Sequence, residues 1–436
     1  MRPATMSRRR PAGRPVRRVR GERLFIGAWA ALSLAAADWE QFRGPGGAGI
    51  SADADPPLEW SEEQNVVWKT PLPGAGASSP VIRGDRIFLT AATGFGPGVA
   101  GGGNPAQLKR HVLCLDAGSG RMLWSNAVAA DLPEQEKIRE DHGYASSTLA
   151  VDAERLYAFF GKSGVFAFDH TGRQLWRTRV GDQVHGWGSA TSPVLCQDLV
   201  IVNASVESEA VVALDRATGR EVWRTAGIKE AWNTPAIAIT PAGEPELQVG
   251  MLRQVMGLDP ATGRKRWWCD TRIDWYMCPS PVSHDGVVYW IGGRSGGGLA
   301  VNLGGRGDVA GSHLRWRLNK GSNVSSPVFH EGHLYFAHEN LGVVYCVEAA
   351  SGKVVYEERL NPNPGQIYAS PILAAGRLYY VSRGGTTAVV AAERKFRLLA
   401  SNPLARGAGT FNASPVPLGR RLLLRSDRFL YCLGRN

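Results

Sequence analysis

Nowhere in the chain is there an apolar run long enough to cross a bilayer as a helix; the longest, "LFIGAWAALSLAAA", has 14 residues. No two of the six cysteines are adjacent, and none has the paired spacing of zinc ligands. "GGLAVNLGG" does not open a helix as a dinucleotide-binding loop must, the "RGD" at Arg306 is a short chance match, and no Ser, His and Asp stand in a nucleophile's context. Charged residues make up only 20% of the sequence, which is 44% hydrophobic, so a disordered, self-repelling chain is excluded. With 53 Gly and 26 Pro, long helices are disfavoured and many turns are expected.

Positive charge is also scarce once its position is considered. Residues 1–37 hold nine Arg and one Glu, which is +8 of the formal +11, so the rest of the chain carries about +3 and no nucleic-acid partner is expected. The order there is a basic stretch, the short apolar run, then Ala35 and Ala37 before Asp38, which is the layout of a signal peptide cleaved after Ala37. The arginine pairs at Arg9 and Arg17 lack a twin-arginine context, and no Cys follows the cleavage point for lipid attachment. An exported domain over 38–436, periplasmic or extracellular and monomeric, is the expectation, with a retained N-terminal anchor as the alternative.

What the sequence does have is repetition. "DAGSGRMLW" at Asp116, "DHTGRQLW" at Asp169, "DRATGREVW" at Asp215, "DPATGRKRWW" at Asp259 and "EAASGKVVY" at Glu348 all place a Gly four residues before an aromatic. The acidic side chain accepts hydrogen bonds from the turn, Thr or Ser assists, and Gly takes the positive φ that reverses the chain, so each string is a hairpin leading into an aromatic strand. A second string recurs eight times: "SSPV", "SSTL", "TSPV", "NTPA", "PSPV", "SSPV", "ASPI" and "ASPV", from Pro80 to Pro415. Its spacing is near 44 residues after a longer first interval, which fits a four-stranded propeller blade.

Between the two strings lie an alternating apolar strand and a third strand with one small residue per copy: Cys114, Ala167, Ala213, Gly257, Ala300, Cys346, Ala391 and Cys432. Three cysteines are therefore packing residues, whereas Cys269 and Cys278 could bridge. The eighth copy ends at "LYCLG" without an outgoing strand, while Trp68 precedes Pro80 by the same twelve residues that separate Trp223 from Pro235. The fold expected is all-β: an eight-bladed propeller of four-stranded blades, closed by the N-terminal strand around Trp68. The first interval holds a Gly-rich excursion, "GFGPGVAGGG", and a stretch, "ADLPEQEKIREDHGYAS", read as a short helix.

The Asp-x-x-Thr-Gly-x-x-x-Trp strings, the eightfold count and the N-terminal closing strand resemble the pyrroloquinoline-quinone-like (PQQ-like) repeat propellers over about residues 60–434. "DWEQFRGPGG" is most similar to exported members of that group. The resemblance implies that Trp68, Trp124, Trp176, Trp223, Trp267, Trp316 and Tyr356 dock between neighbouring blades. It also implies two kinds of function, quinoprotein dehydrogenases with PQQ and calcium, and noncatalytic propellers such as the outer-membrane assembly factor. The dehydrogenases' adjacent cysteine pair is missing here, and Asp141, Glu230 and Asp274 are the nearest carboxylates to the axis, too few for a calcium-type ion. Arg294 and Arg383 are the candidates for an arginine near a quinone.

The segments before the innermost strands face the funnel around the axis. They supply His142 and Tyr144, His185 and Trp187, Trp232 and Asn233, then Trp275 and Tyr276, Asn323, Tyr368, and finally Phe411 and Asn412. Rings beside amides and imidazoles suit a planar or sugar-like ligand, unless the rings only plug the channel. His142 to Asn233 form the expected recognition side. The function expected is a noncatalytic binding scaffold of the cell envelope without cofactor, taking a protein or a small-molecule or carbohydrate ligand; a PQQ-dependent dehydrogenase is the alternative.

Overall fold

The computed structural model describes residues 38–136, 138, 143–404 and 407–435. The expected signal peptide, Asp141 and His142 lie outside them, as does part of the stretch read as a helix; its described portion at 131–136 is bends and coil.

Eight sheets follow one another, each with four antiparallel strands running from the axis outward, and two of them gain a short fifth strand in parallel. Blade three is typical, with strands Val194–Cys196, Leu199–Ala204, Ala210–Asp215 and Glu221–Ala226. The two middle strands are apolar and buried except for Asn203, which is buried, and Asp215, which opens the turn, because each is covered by a blade on either side. Blade eight has Val416–Leu418, Arg421–Arg425 and Phe429–Gly434, and its outermost strand is Val66–Pro71 from the other end of the chain, with Trp68 opposite Cys432. That exchange leaves no open seam between first and last blades.

The recurring Gly and Trp answer each other across seams rather than within one hairpin. A Cβ on Gly120 would come within 2.5 Å of the Trp68 indole, and Gly172, Gly219, Gly263 and Gly352 meet Trp124, Trp176, Trp223 and Trp316 in the same way. Each of these indoles donates its Nε1–H to a carbonyl of the next blade's turn, at Ala117, His170, Arg216, Pro260 and Ala349, over 2.9–3.3 Å. Two residues on, Thr70, Thr178 and Thr225 donate their hydroxyls to the carbonyls of the same glycines. The glycine is thus required twice, by its positive φ and by the ring lying on it. At Asp116, Asp169, Asp215 and Glu348 the acidic residue of the turn is held low by the hydroxyl it accepts from; Thr171 brings Asp169 down to about 2.

Three seams depart from this pattern. Trp267 is fully buried and donates to the Glu246 carboxylate, because the following turn is long and its Gly307–Asp308 pairs parallel with Trp267 and Trp268 as a fifth strand. Tyr356 meets Phe396 edge-on at 5.7 Å in place of a glycine. At blade seven the bulge register places Val389, not Ala391, at the small-residue site, and the outer strand offers only Ala400 there. The missing ring comes from outside the repeat: Trp60, 3% exposed, stacks on Tyr379 at 6.5 Å, its own backbone N–H bonded to Asn402 of that outer strand. All six cysteines are free thiols, Cys269 and Cys278 included, and Cys114, Cys346 and Cys432 are buried in the sheets.

Candidate functional site

The proline of the second repeated string opens the innermost strand, where no neighbour needs its absent N–H. The residue before it carries a hydroxyl in seven blades, Ser79, Ser192, Thr234, Ser280, Ser326, Ser370 and Ser414; blade two has no proline, and there Thr148, which the string "SSTL" aligns with the proline, holds the hydroxyl place instead, followed by Leu149. These hydroxyls link blade to blade. The backbone N–H of Ser79 donates to Thr148 Oγ1, that of Thr148 to Ser192, Ser192 to Thr234, Ser280 to Ser326, Ser326 to Ser370, Ser370 to Ser414, and Ser414 back to Ser79, all at 2.9–3.1 Å. Among the described residues only the step from Thr234 to Ser280 lacks this bond. The sequence showed the repeated string but not that its hydroxyls form a ring.

The N-terminal segment passes under that ring. Trp39 exchanges backbone hydrogen bonds with Ile82 of blade one, the Glu40 carbonyl accepts from Val151 of blade two, and the Arg43 guanidinium donates to Pro327 of blade six. Ile50–Ser51 then pairs with Leu373 and Ala374 of blade seven. Phe42, carried at the middle of this traverse, faces the channel. The channel is therefore a funnel with a floor, a cavity of ≈ 340 Å³ lined by all eight residues of the hydroxyl ring, Phe42 and the mouth loops. That volume is in the range of about 300–1,000 Å³ usual for small-molecule sites.

One side of the funnel is aromatic. The mouth loops of blades four and five are clamped together, with the N–H groups of Trp232 and Asn233 on the Met277 carbonyl and that of Met277 on Glu230. The clamp holds Trp232 and Tyr276 edge-on at 5.2 Å, with Trp275 at 5.0 Å from Tyr276 and Trp187 of blade three at 5.6 Å from it. Trp232 donates its indole N–H to Gly188 of blade three, and Tyr276 accepts from Asn323 Nδ2. Across the cavity, blades eight, one and two present Asn412, Ser414, Ala77 and Ser146 and, among the described residues, no ring, and blade seven presents the single ring of Tyr368, so the tryptophans stand on one side.

Trp187, Trp232, Trp275, Tyr276, Asn323, Tyr368 and Asn412 line the cavity. Four others predicted from sequence, Tyr144, His185, Asn233 and Phe411, lie elsewhere, while His142 is outside the described residues. Asn233 is fully buried, bracing the blade-four loop through Gly250 and Met277. Phe411 is likewise buried against Gly385 and Tyr431. Tyr144 turns toward blade one, 5.5 Å from Phe95 of the Gly-rich excursion, and His185 sits behind the wall at 5.0 Å from Trp232. The ring-bearing side thus comes from blades three to five, where the sequence pointed to two to four. Sequence order could not show which rings the loops turn outward.

Arg294 reaches the cavity with its guanidinium 5.5 Å from the Trp275 ring, and Arg383 stacks at 4.6 Å on Tyr368 while bonded to Asn412 and Gln366. Among the described residues one carboxylate lines the cavity, and sequence reasoning missed it. Glu339 is 2% exposed, accepting from the Asn323 N–H at 2.9 Å and from Asn340. Glu230 and Asp274 are exposed, the latter paired with Arg253. A calcium-type ion takes six to eight oxygens, several from carboxylates. A lone carboxylate already bonded to amides does not match that donor set, and no group of three His, Cys, Asp or Glu converges anywhere among the described residues. The residues do not fit a cation-assisted quinone.

Behind the wall, Glu207 is buried with its carboxyl on the Ser189 hydroxyl of the loop that carries Trp187. Burial pushes it up to about 7, against the Ser189 hydrogen bond that lowers it.

Comparison with known proteins places this geometry in a family. The family model of the outer membrane protein assembly factor BamB matches residues 108–269, 207–303 and 254–410. Tetrathionate hydrolase of Acidithiobacillus ferrooxidans is 21% identical over 343 residues, covering 72% of this chain; the chain spans 64% of that relative's length. Among solved structures, BamB from Moraxella catarrhalis shares the fold at a TM-score of 0.58 and 14% identity, over 85% of this chain and 99% of that one. A europium-containing methanol dehydrogenase does so at 0.65 and 11%, over 91% and 98%. Noncatalytic and catalytic proteins therefore share this architecture, and the fold does not choose between them. The chain belongs to the PQQ-like repeat propeller family of the outer membrane protein assembly factor BamB.

Proposed function

We propose that this chain is an exported propeller whose funnel binds a ring-shaped, polar ligand such as a saccharide, and that it serves as a binding scaffold of the cell envelope without redox chemistry of its own. Export is supported by the basic and apolar layout of residues 1–37, and among the described residues no helix is long and apolar enough to cross a membrane. The observation that carries the binding reading is the one-sided wall of Trp187, Trp232, Trp275 and Tyr276 above a floor of hydroxyls. Flat rings cover the apolar face of a sugar, and amides and hydroxyls satisfy its edge. A plug would distribute its bulk around the axis.

Indole fluorescence titrated with a panel of mono- and disaccharides tests this. Saturable quenching that Trp232→Ala weakens at least tenfold is expected, and absence of quenching by every sugar would sink the reading. Dye-linked alcohol or aldose oxidation that depends on added quinone and calcium would transfer the assignment to a dehydrogenase, the activity class of the methanol dehydrogenase that shares the fold.

A further inference from the structure

Each ring hydroxyl that accepts a backbone N–H has its oxygen committed to the neighbouring blade. Its proton has no acceptor among the described residues, since a hydroxyl carries one donor besides its lone pairs. The ring residues are all more than nine-tenths buried, and all eight line the funnel. The protons left over are thus donors offered to the axis.

Two buried cations adjoin this ring independently of it. Arg43, next to Phe42 in the floor, donates to Gly47, Ala48 and Pro327, the last of these adjoining Ser326; its Nη1 is buried without a partner. Arg425 donates to Ser78, beside Ser79, and to Thr90, and its Nε is buried without a partner. Both are 1% exposed, and among the described residues neither is within ion-pair distance of a carboxylate; Asp427 acts on Arg425 only at longer range. Burial pulls both guanidinium groups down to about 9, so they stay charged at neutral pH at a desolvation cost that no carboxylate in direct contact offsets among the described residues.

We propose that the floor of the funnel is an oxyanion subsite, in which the ring hydroxyls donate to a carboxylate, sulfate or phosphate group on the axis within the field of Arg43 and Arg425. This rests on the funnel being a ligand site and narrows its ligand to one that enters acidic end first, with its rings against Trp232 and Tyr276. Glu339, the one carboxylate lining the cavity among the described residues, is held by the Asn323 and Asn340 amides.

Selenate is the probe. Crystals of the full chain grown in selenate are expected to show one anomalous peak on the axis within hydrogen-bond distance of the ring hydroxyls; no peak there overturns the proposal. In solution, selenate affinity is expected to fall about tenfold in Ser280→Ala, which removes a floor hydroxyl that accepts no blade link, and to persist in Ser326→Thr, which keeps one. Equal affinities in parent and Ser280→Ala, or a peak only at surface arginines, would mean an adventitious ion only. A second arm compares glucuronate with glucose. A tenfold preference for glucuronate supports the subsite; equal binding abolished by Trp232→Ala overturns it while leaving the funnel reading intact. Selenate on the axis with neither sugar quenching would keep the subsite and sink the saccharide reading.

Discussion

The tryptophans of the outer seams and those of the funnel are the same residue in two roles. At the five regular seams each indole lies on a glycine of the next blade and gives its N–H to that blade's turn, so it has one partner surface and one hydrogen bond fixed by the repeat. In the funnel Trp187 and Trp275 stand half-exposed against other rings, and their positions depend on loops that differ from blade to blade. The repeat, then, accounts for what holds the blades together, and the departures from it account for what the molecule presents. Glu207 and the blade-four clamp belong to the second kind, polar devices behind the wall that the seams do without.

The comparison breaks most sharply if the closing strand is removed. A chain starting at about Pro73 loses both Trp68 and the floor segment, leaving two open sheet edges. It is expected to fail to fold cooperatively, and a melting curve matching the parent would show that seams do not need closure. Next in size, Trp223→Ala at a regular seam should cost about 3–5 kcal/mol in denaturant unfolding, from lost burial and an unpaired carbonyl at Pro260. Trp60→Ala should cost about 3 kcal/mol, because this residue from outside the repeat fills the seam that Ala400 leaves empty. A loss under about 1 kcal/mol would mean that blade seven needs no ring.

Behind the funnel wall, the Glu207 carboxyl titrates at about 7 when folded against an ordinary 4.5. The folded state therefore holds its proton more tightly, and stability should fall as pH rises from about 4.5 to 7, by on the order of 3 kcal/mol, then level off. Glu207→Gln should flatten that segment of the stability profile; an unchanged profile would remove Glu207 as its source. The smallest effect expected is Trp187→Ala, below about 1 kcal/mol by denaturant unfolding, since a half-exposed ring loses little on truncation. If it costs as much as Trp223→Ala, the funnel ring is blade packing and the contrast collapses.

Much of the architecture is written in local strings. The turn at Asp215 needs its Thr and Gly, Trp223 follows four residues after that Gly, and both requirements are satisfied within a few residues of chain, so blade count and closure are legible directly. Where the repeat lapses, legibility lapses with it. At blade seven the string alone puts the small-residue site two residues late, because without an aromatic nothing marks the bulge that sets the register. Glu339 escapes notice in the sequence because a single carboxylate at a strand end looks like any solvated one until Asn323 is seen to cover it.

What the sequence determined by itself is whatever depends on neighbours along the chain: the hairpins, the alternation of the strands, the eightfold period and the residue types available at the mouth. What only the tertiary structure decided depends on residues brought together across tens to hundreds of positions. The Ser414 to Ser79 link spans 335 residues, Arg43 reaches Pro327 across 284, and the Asn402 to Trp60 contact spans 342. Ring closure makes such pairs neighbours, and hydrogen bonding and burial at those meetings fix which hydroxyls, rings and charges face the axis.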